Sequence, residues 1–235
     1  MIETIKNAFA NKDIRKKILL TLLLLVVFRI GCYIPVPGLA RGLLTDAVTT
    51  NDFLGLMSGV TGGALANGTL FALGIGPYIN ASIIVQLLTV GIPALERLSK
   101  QGEEGRKKLT NITRIITIVL AVIQAVGIIV NFAGGFSADV TDNSSIRWDL
   151  FFNQQWLAIV YMVVIYTAGA MLVMWLGERI TEYGVGNGIS LIIFVGIIST
   201  AGLSILDKLT SITANDVSPL FEVIGFLVLA VVVLF

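Results

Sequence analysis

Leu70-Phe-Ala-Leu-Gly-Ile-Gly-Pro-Tyr-Ile-Asn-Ala-Ser-Ile-Ile-Val-Gln-Leu-Leu-Thr-Val-Gly-Ile92 carries no charged residue from end to end. A helix needs about 20 apolar residues to cross the hydrocarbon core of a bilayer, so the stretch reads as a membrane span. It also contains a break, Gly74-Ile75-Gly76-Pro77, where glycine weakens a helix and proline lacks the N–H donor. Just upstream, Asp52-Phe-Leu-Gly-Leu-Met-Ser-Gly-Val60 and then Thr61-Gly-Gly63 are too short to cross and too apolar to be a free loop. They read as a short helix or re-entrant segment followed by a glycine break. Irregular backbone at membrane depth is tolerated only where protein buries it or where it lines a cavity. Broken helices of this kind usually line a path through the membrane.

Four further stretches have the length and character of spans: Ile18–Ile34, Ile112–Val130, Trp156–Leu176 and Ile189–Leu206. A sixth begins near Pro219 and is still running at Phe235, so the chain is expected to be the first part of something longer. Composition agrees. Of 235 residues 56% are hydrophobic and 13% charged, and mean hydropathy is +0.91. A soluble core could not hide so much apolar surface, and lipid accepts it. The fold class is therefore all-α, a polytopic transmembrane bundle with a short re-entrant helix.

The net charge of +1 says nothing about partners, but its distribution orients the chain. Lys6, Lys12, Arg15, Lys16 and Lys17 precede the first span. Arg97, Lys100, Arg106, Lys107, Lys108 and Arg114 follow the second, and Arg179 follows the fourth. The opposite loops hold Arg41, Arg147 and Lys208 among seven aspartates. Basic loops stay in the cytoplasm, which places the N-terminus there at a cell membrane. Ile2, Ile5 and Phe9 beside Lys6 and Lys12 suggest an amphipathic surface segment over residues 1–17. Residues 18–206 then form a five-span unit, and 207–235 an external loop with the start of a sixth span.

There is no histidine, and Cys32 is the single cysteine. That removes Ser-His and Cys-His nucleophile pairs, the usual general base, and a Cys₄ metal site. Ser58-Gly59 offers only a faint hint of an intramembrane protease. No enzyme, metal or cofactor is implied.

Several polar groups have two readings. Arg29, near the outer end of the first span, either snorkels outward or makes a polar contact within the bundle. Asn80, Ser82 and Gln86 either glue helices together or form a polar seam along a path. The loop from Gln101 to Thr110 is a topology signal or a docking site for an anionic partner. The run from Trp175 to Ser190 has glycines suggestive of a dinucleotide fingerprint, but that needs a βαβ unit. A tight turn, with Asn187 or Ser190 capping the fifth span, accounts for it.

Arg29-Ile-Gly and Ile34-Pro-Val-Pro-Gly, Ser58-Gly, Gly62-Gly63-Ala-Leu, Phe71 to Gln86, Gly105-Arg-Lys-Lys, and Trp175-Leu-Gly-Glu with Gly186-Asn-Gly-Ile-Ser together resemble the SecY family. Its members form the centre of the bacterial protein-conducting translocon, and the resemblance covers essentially the whole chain. It implies the first half of a channel of ten spans in two inverted halves. It implies a plug at 51–66, with Phe53, Leu54, Leu56, Met57, Ser58 and Gly59. It implies a pore ring with Ile75, Ile79 and Ile193, and a lateral-gate wall from the second and third spans, with Asn80, Gln86 and Gln124. Arg106, Lys107 and Lys108 would meet cytoplasmic partners. The implied partners are translocating polypeptides and signal sequences, the SecE and SecG subunits, membrane lipids, and the motor ATPase SecA and the ribosome, these last mainly through the second half. Where the family often has methionine before the proline of the break, this chain has Gly76.

The implied function is a passive channel passing secretory polypeptides and releasing membrane segments into lipid. The rival is a secondary solute transporter, which would normally carry an ionisable group near mid-bilayer. Spans two to five have none near their centres. The orientation has a direct check. A cysteine replacing Ser144 should react with an impermeant thiol reagent from outside, and one replacing Gln101 only from inside. Labelling in the opposite sense overturns both the topology and the span count.

Overall fold

A computed structural model describes residues 11–37, 48, 52–132, 155–210 and 225. Among them run seven helices: α1 (Lys12–Gly31), α2 (Asp52–Val60), α3 (Gly76–Gly91), α4 (Pro93–Lys100), α5 (Glu103–Phe132), α6 (Gln155–Tyr183) and α7 (Gly188–Thr210). Residues 1–10, expected as an amphipathic segment, most of 38–51, all of 133–154, and 211–235 with the expected sixth span, Gly225 excepted, lie outside the described residues.

Local chemistry sets the helix ends. The Asn11 side chain accepts from the Asp13 N–H at 3.2 Å and starts α1, so Arg15, Lys16 and Lys17 stand on its first turns. Pro77 and Pro93 open α3 and α4, where a missing N–H costs nothing. Asn187 caps α7, accepting from Ile189 N–H at 3.0 Å and Ser190 N–H at 3.4 Å. The α6–α7 turn is the tight one expected. Thr181 Oγ1 accepts from Gly188 N–H at 2.9 Å, and Thr21 on α1 accepts from Val185 N–H at 3.0 Å.

The spans differ from expectation in two places. Length and composition suit α5, α6 and α7 for crossing a membrane. The first helix, α1, expected as a full span, is not among them, because it has basic residues at one end and Arg29 near the other. The second span is helical only from Gly76, because residues 70–75 are irregular turns. Helix α3 is therefore 16 residues long, and the chain bends by 103° into α4 at Ile92. The two together make a fourth crossing only if counted as one bent span.

Helix α5 packs between α3 and α6, α7 packs on α6, and α1 lies against both α6 and α7. The α5 face that is buried repeats every fourth residue: Thr113, Thr117, Ala121, Ala125 and Ile129. On α6 the matching stripe is Ala158, Met162, Tyr166 and Ala170. Residues four apart stack on one helix face, and small ones let membrane helices approach for van der Waals packing. The two threonines donate to carbonyls one turn back, Leu109 and Thr113, so neither hydroxyl is left unmet. Arg114 on α5 holds Glu178 on α6 with two bonds, Nε–Oε1 at 3.0 Å and Nη2–Oε2 at 2.6 Å.

The irregular stretch 61–75 is the centre of the molecule. Leu65, Ala72 and Leu73 join the apolar cluster built on α5 and α6. Ala64, Phe71 and Ile75 join a second cluster with α1, α6 and α7. Phe71 stacks on Phe28 with ring centroids 5.9 Å apart, and its ring occupies the space above Gly31 that a Cβ would take. Backbone groups here are met by turns and by neighbours. Leu70 N–H donates to Ile34 O and Val36 N–H to Gly68 O, both at 3.0 Å, forming a two-bond bridge to the end of α1.

Helix α6 meets this stretch at Gly169, where an added Cβ would collide with the Leu70 carbonyl. Gly169→Ala is expected to destabilise the bundle by about 1–3 kcal/mol through overpacking. Gly127→Ala, on α5 with nothing within 4 Å, should not. The midpoint of thermal aggregation in detergent reads the difference. Equal midpoints for the two variants contradict the packing described.

Candidate functional site

A cavity of about 190 Å³ opens beside the break at 74–77. Ile75, Ile79 and Asn80 line it from the start of α3, Ile192 and Ile193 from α7, and Phe28 from α1. Met57, Val60 and Thr61, at the C-terminal end of α2, close another side. The walls are almost wholly branched or aromatic hydrocarbon, and Asn80 and Thr61 supply the polar side chains.

Local geometry explains how the isoleucines converge. Ile75 is the residue before α3, and its carbonyl accepts the Ile79 N–H at 3.1 Å. The two side chains thus lie one turn apart on one face. Ile193 reaches the same space because Gly177 and Gly188 bring α6 and α7 into contact: a Cβ on Gly188 would strike the Gly177 carbonyl. Ile75 is only 4% exposed, while Ile79 and Ile193 are half-buried.

The end of α2 is tied to its surroundings through its carbonyls. Arg29 Nη1 donates to Gly62 O at 3.3 Å, and Nη2 to the Tyr33 hydroxyl at 3.2 Å. Its guanidinium also lies over the Tyr33 ring, 5.3 Å from the centroid. Of the two readings of Arg29, the polar contact within the bundle is the one realised. Thr200 Oγ1 on α7 donates to Gly59 O at 3.2 Å. Thr61 Oγ1 and Gly63 N–H both donate to Ser58 O, at 3.1 and 2.8 Å. Gly62 and Gly63 take φ of +70° and +82°, values that glycine reaches at no steric cost and that let the chain reverse here.

The structure therefore gathers Ile75, Ile79, Ile193, Met57 and Asn80 around one space. The other sequence candidates lie elsewhere. Leu54 packs on the α5–α6 cluster, Leu56 is 72% exposed, Ser58 is buried, and Gly59 meets Thr200. The Phe53 side chain lies outside the described residues. Gln86 and Gln124 are not among the residues lining the cavity. Gln86 donates to Ser82 one turn back on its own helix at 3.3 Å, so these two polar side chains bond to each other within α3. Arg106, Lys107 and Lys108 are exposed on the first turns of α5.

Sequence reasoning missed Gly196 and Thr200. A Cβ on Gly196 would meet the Val60 carbonyl, so the end of α2 sits in a notch on α7. The signal was a glycine and a threonine four apart in an apolar span, the small-residue spacing of close helix contacts.

Comparison with known proteins bears on what such a site does. The SecY family model matches residues 69–235. The protein translocase subunit SecY of Staphylococcus aureus (strain NCTC 8325 / PS 47) is 42% identical over 207 residues, 88% of this chain and 46% of that protein. The chain spans about half the length of the curated relatives it matches. Sec61 in the canine ribosome–channel complex from the endoplasmic reticulum superposes with a TM-score of 0.62 over 93% of this chain and 46% of that one, at 22% identity. A SecY structure whose plug domain stabilises the closed state of the translocation channel and maintains a membrane seal gives 0.54, over 90% and 40%, at 20% identity. These structural likenesses show a shared fold.

Proposed function

Since the chain belongs to the SecY family, a family of membrane proteins, we propose that it forms half of a protein-conducting channel. Ile75, Ile79 and Ile193 contribute to the pore ring, and α2 with the turn after it, residues 51–66, is the plug. Secretory polypeptides pass the ring, and membrane segments leave sideways into lipid between this half and its partner half. Helices α3 and α5 form this half's wall of that lateral gate, with Asn80 at the cavity and Gln86 and Gln124 along the wall. The N-terminus faces the cytoplasm of a cell membrane. The exposed Arg106, Lys107 and Lys108 face anionic surfaces of a ribosome or of the motor ATPase SecA, and SecE and SecG are the companion subunits. The work of translocation comes from those partners.

The observation that carries this reading is the cavity itself. Three branched side chains from two helices, 75, 79 and 193, face one space against Met57 of α2. Hydrocarbon offers an ion no ligands and holds no continuous water, so such a constriction gates by dewetting. The same lack of specific chemistry lets any polypeptide through. A solute transporter would instead place a few fixed polar groups around its substrate, and this cavity presents Asn80 and Thr61 alone among its lining side chains.

Converting both Ile75 and Ile79 to Asn in the reconstituted channel tests the seal. Amides hold water where isoleucine does not, and ion conductance across a planar bilayer at rest should rise well above the wild-type baseline. A doubly substituted channel that stays at that baseline removes these residues from the seal.

A further inference from the structure

We propose that Gly196, Thr200 and Arg29 form a latch that seats the C-terminal end of α2 against the cavity, and that separating α1 from α7 releases it. The inference rests on reading α2 as the plug, and it names what holds that plug in place.

Three contacts from two helices converge on four consecutive residues. Thr200 Oγ1 on α7 lies 3.2 Å from Gly59 O and 3.3 Å from Gly196 O one turn back, and its one proton is shared between the two carbonyls. Val60 O lies directly against Gly196 on α7, with the Gly62 backbone nitrogen 3.4 Å from where a Cβ would stand. Arg29 on α1 donates to Gly62 O at 3.3 Å. Beside them the Cys32 thiol, also just past α1, points to Thr61 O at 3.9 Å. The last carbonyls of a helix have no partner within it, and they carry the negative end of its dipole, which favours a cation. Gly59 O takes the Gly62 N–H at 3.3 Å and a second donor, Thr200, from outside α2; Arg29 meets the carbonyl of Gly62, two residues past the helix end. A part-buried carbonyl that loses its donor has to find another before the loss is made good. Leaving the seat therefore carries a cost until α2 reaches water or other donors.

The geometry also makes release cooperative. Arg29 belongs to α1, and Gly196 and Thr200 belong to α7, and the two helices touch. The 59–62 turn bridges them, so a movement that parts α1 from α7 cannot keep both sets of contacts. Gly196 acts by shape: its missing side chain is the space that the Val60 carbonyl fills. On α7, Gly202 has nothing within 4 Å of its would-be Cβ and provides the matched control, since alanine favours a helix equally at both sites.

The test uses the reconstituted channel with cysteines replacing Met57 and Ile193, whose disulfide yield under mild oxidant reports seating. Thr200→Val, nearly the same shape, and Arg29→Gln should each lower the seated-to-released ratio by roughly 2- to 10-fold, the range set by one lost hydrogen bond. Gly196→Ala should lower it at least as far, and Gly202→Ala should leave it unchanged. Yields that match wild type in all three latch variants overturn the latch, as does an equal fall in Gly202→Ala. Deleting residues 52–60 separates the two readings. A deletion channel that stays closed to ions overturns the sealing role of α2, while a fall in disulfide yield in the latch variants alone still supports the latch.

Discussion

Inside a bilayer every backbone N–H and C=O must find a partner within the protein, because no water is there to meet it. That constraint falls hardest on residues 61–75, which are not helical and are among the most buried in the molecule. The rest of the structure is arranged around satisfying them. Ile34 and Gly68 carbonyls take N–H groups across the bridge, Thr61 and Thr69 turn their hydroxyls onto Ser58 and Ala64 carbonyls, and Arg29 reaches Gly62. Helices α1, α5, α6 and α7 wrap the stretch with two apolar clusters, one on each side. The interruption in the helix pattern is thus a packed wedge, and it delays the start of α3 to the level where Ile75 and Ile79 face the cavity.

The proposed function rests on the contrast between the cavity and its rim. The cavity is lined by hydrocarbon that makes no directional demand, which suits a constriction that must exclude ions and yet discriminate little among polypeptides. The element proposed to close it is held by directional contacts instead: Thr200 to Gly59, Arg29 to Gly62, and the Gly196 notch. A seal of this design can be apolar where permeation occurs and specific where the closing helix docks. The Arg114–Glu178 pair and the small-residue stripes of α5 and α6 hold the surrounding frame at fixed spacing.

Much of this was legible in the residues themselves. Long uncharged stretches announced α5, α6 and α7, Asn187 announced its cap, and Asp52–Val60 announced a short helix before a glycine break. The resemblance then pointed to 75, 79 and 193, which do share one space. The helix of the second span starts six residues later than the sequence suggests, since Leu70–Ile75 is apolar enough to pass for helix. What decides its conformation is tertiary: Phe71 docking on Gly31, and Leu70 bonding to Ile34. The partners of Arg29 and the role of Gly196 were hidden for the same reason. Each depends on a contact between segments far apart in sequence, and a glycine in an apolar span gives no sign of what fills the space beside it.

In the proposed channel a polypeptide crosses at the isoleucine cavity. The most direct measurement places a photo-reactive residue at position 79, 193 or 164, one at a time, in a reconstituted channel holding a stalled secretory precursor. Val164 is on α6, 61% exposed and away from the cavity. The account predicts that the precursor is captured from positions 79 and 193 and not from 164. Capture from 164 with none from 79 and 193, while the precursor is demonstrably engaged, would contradict it.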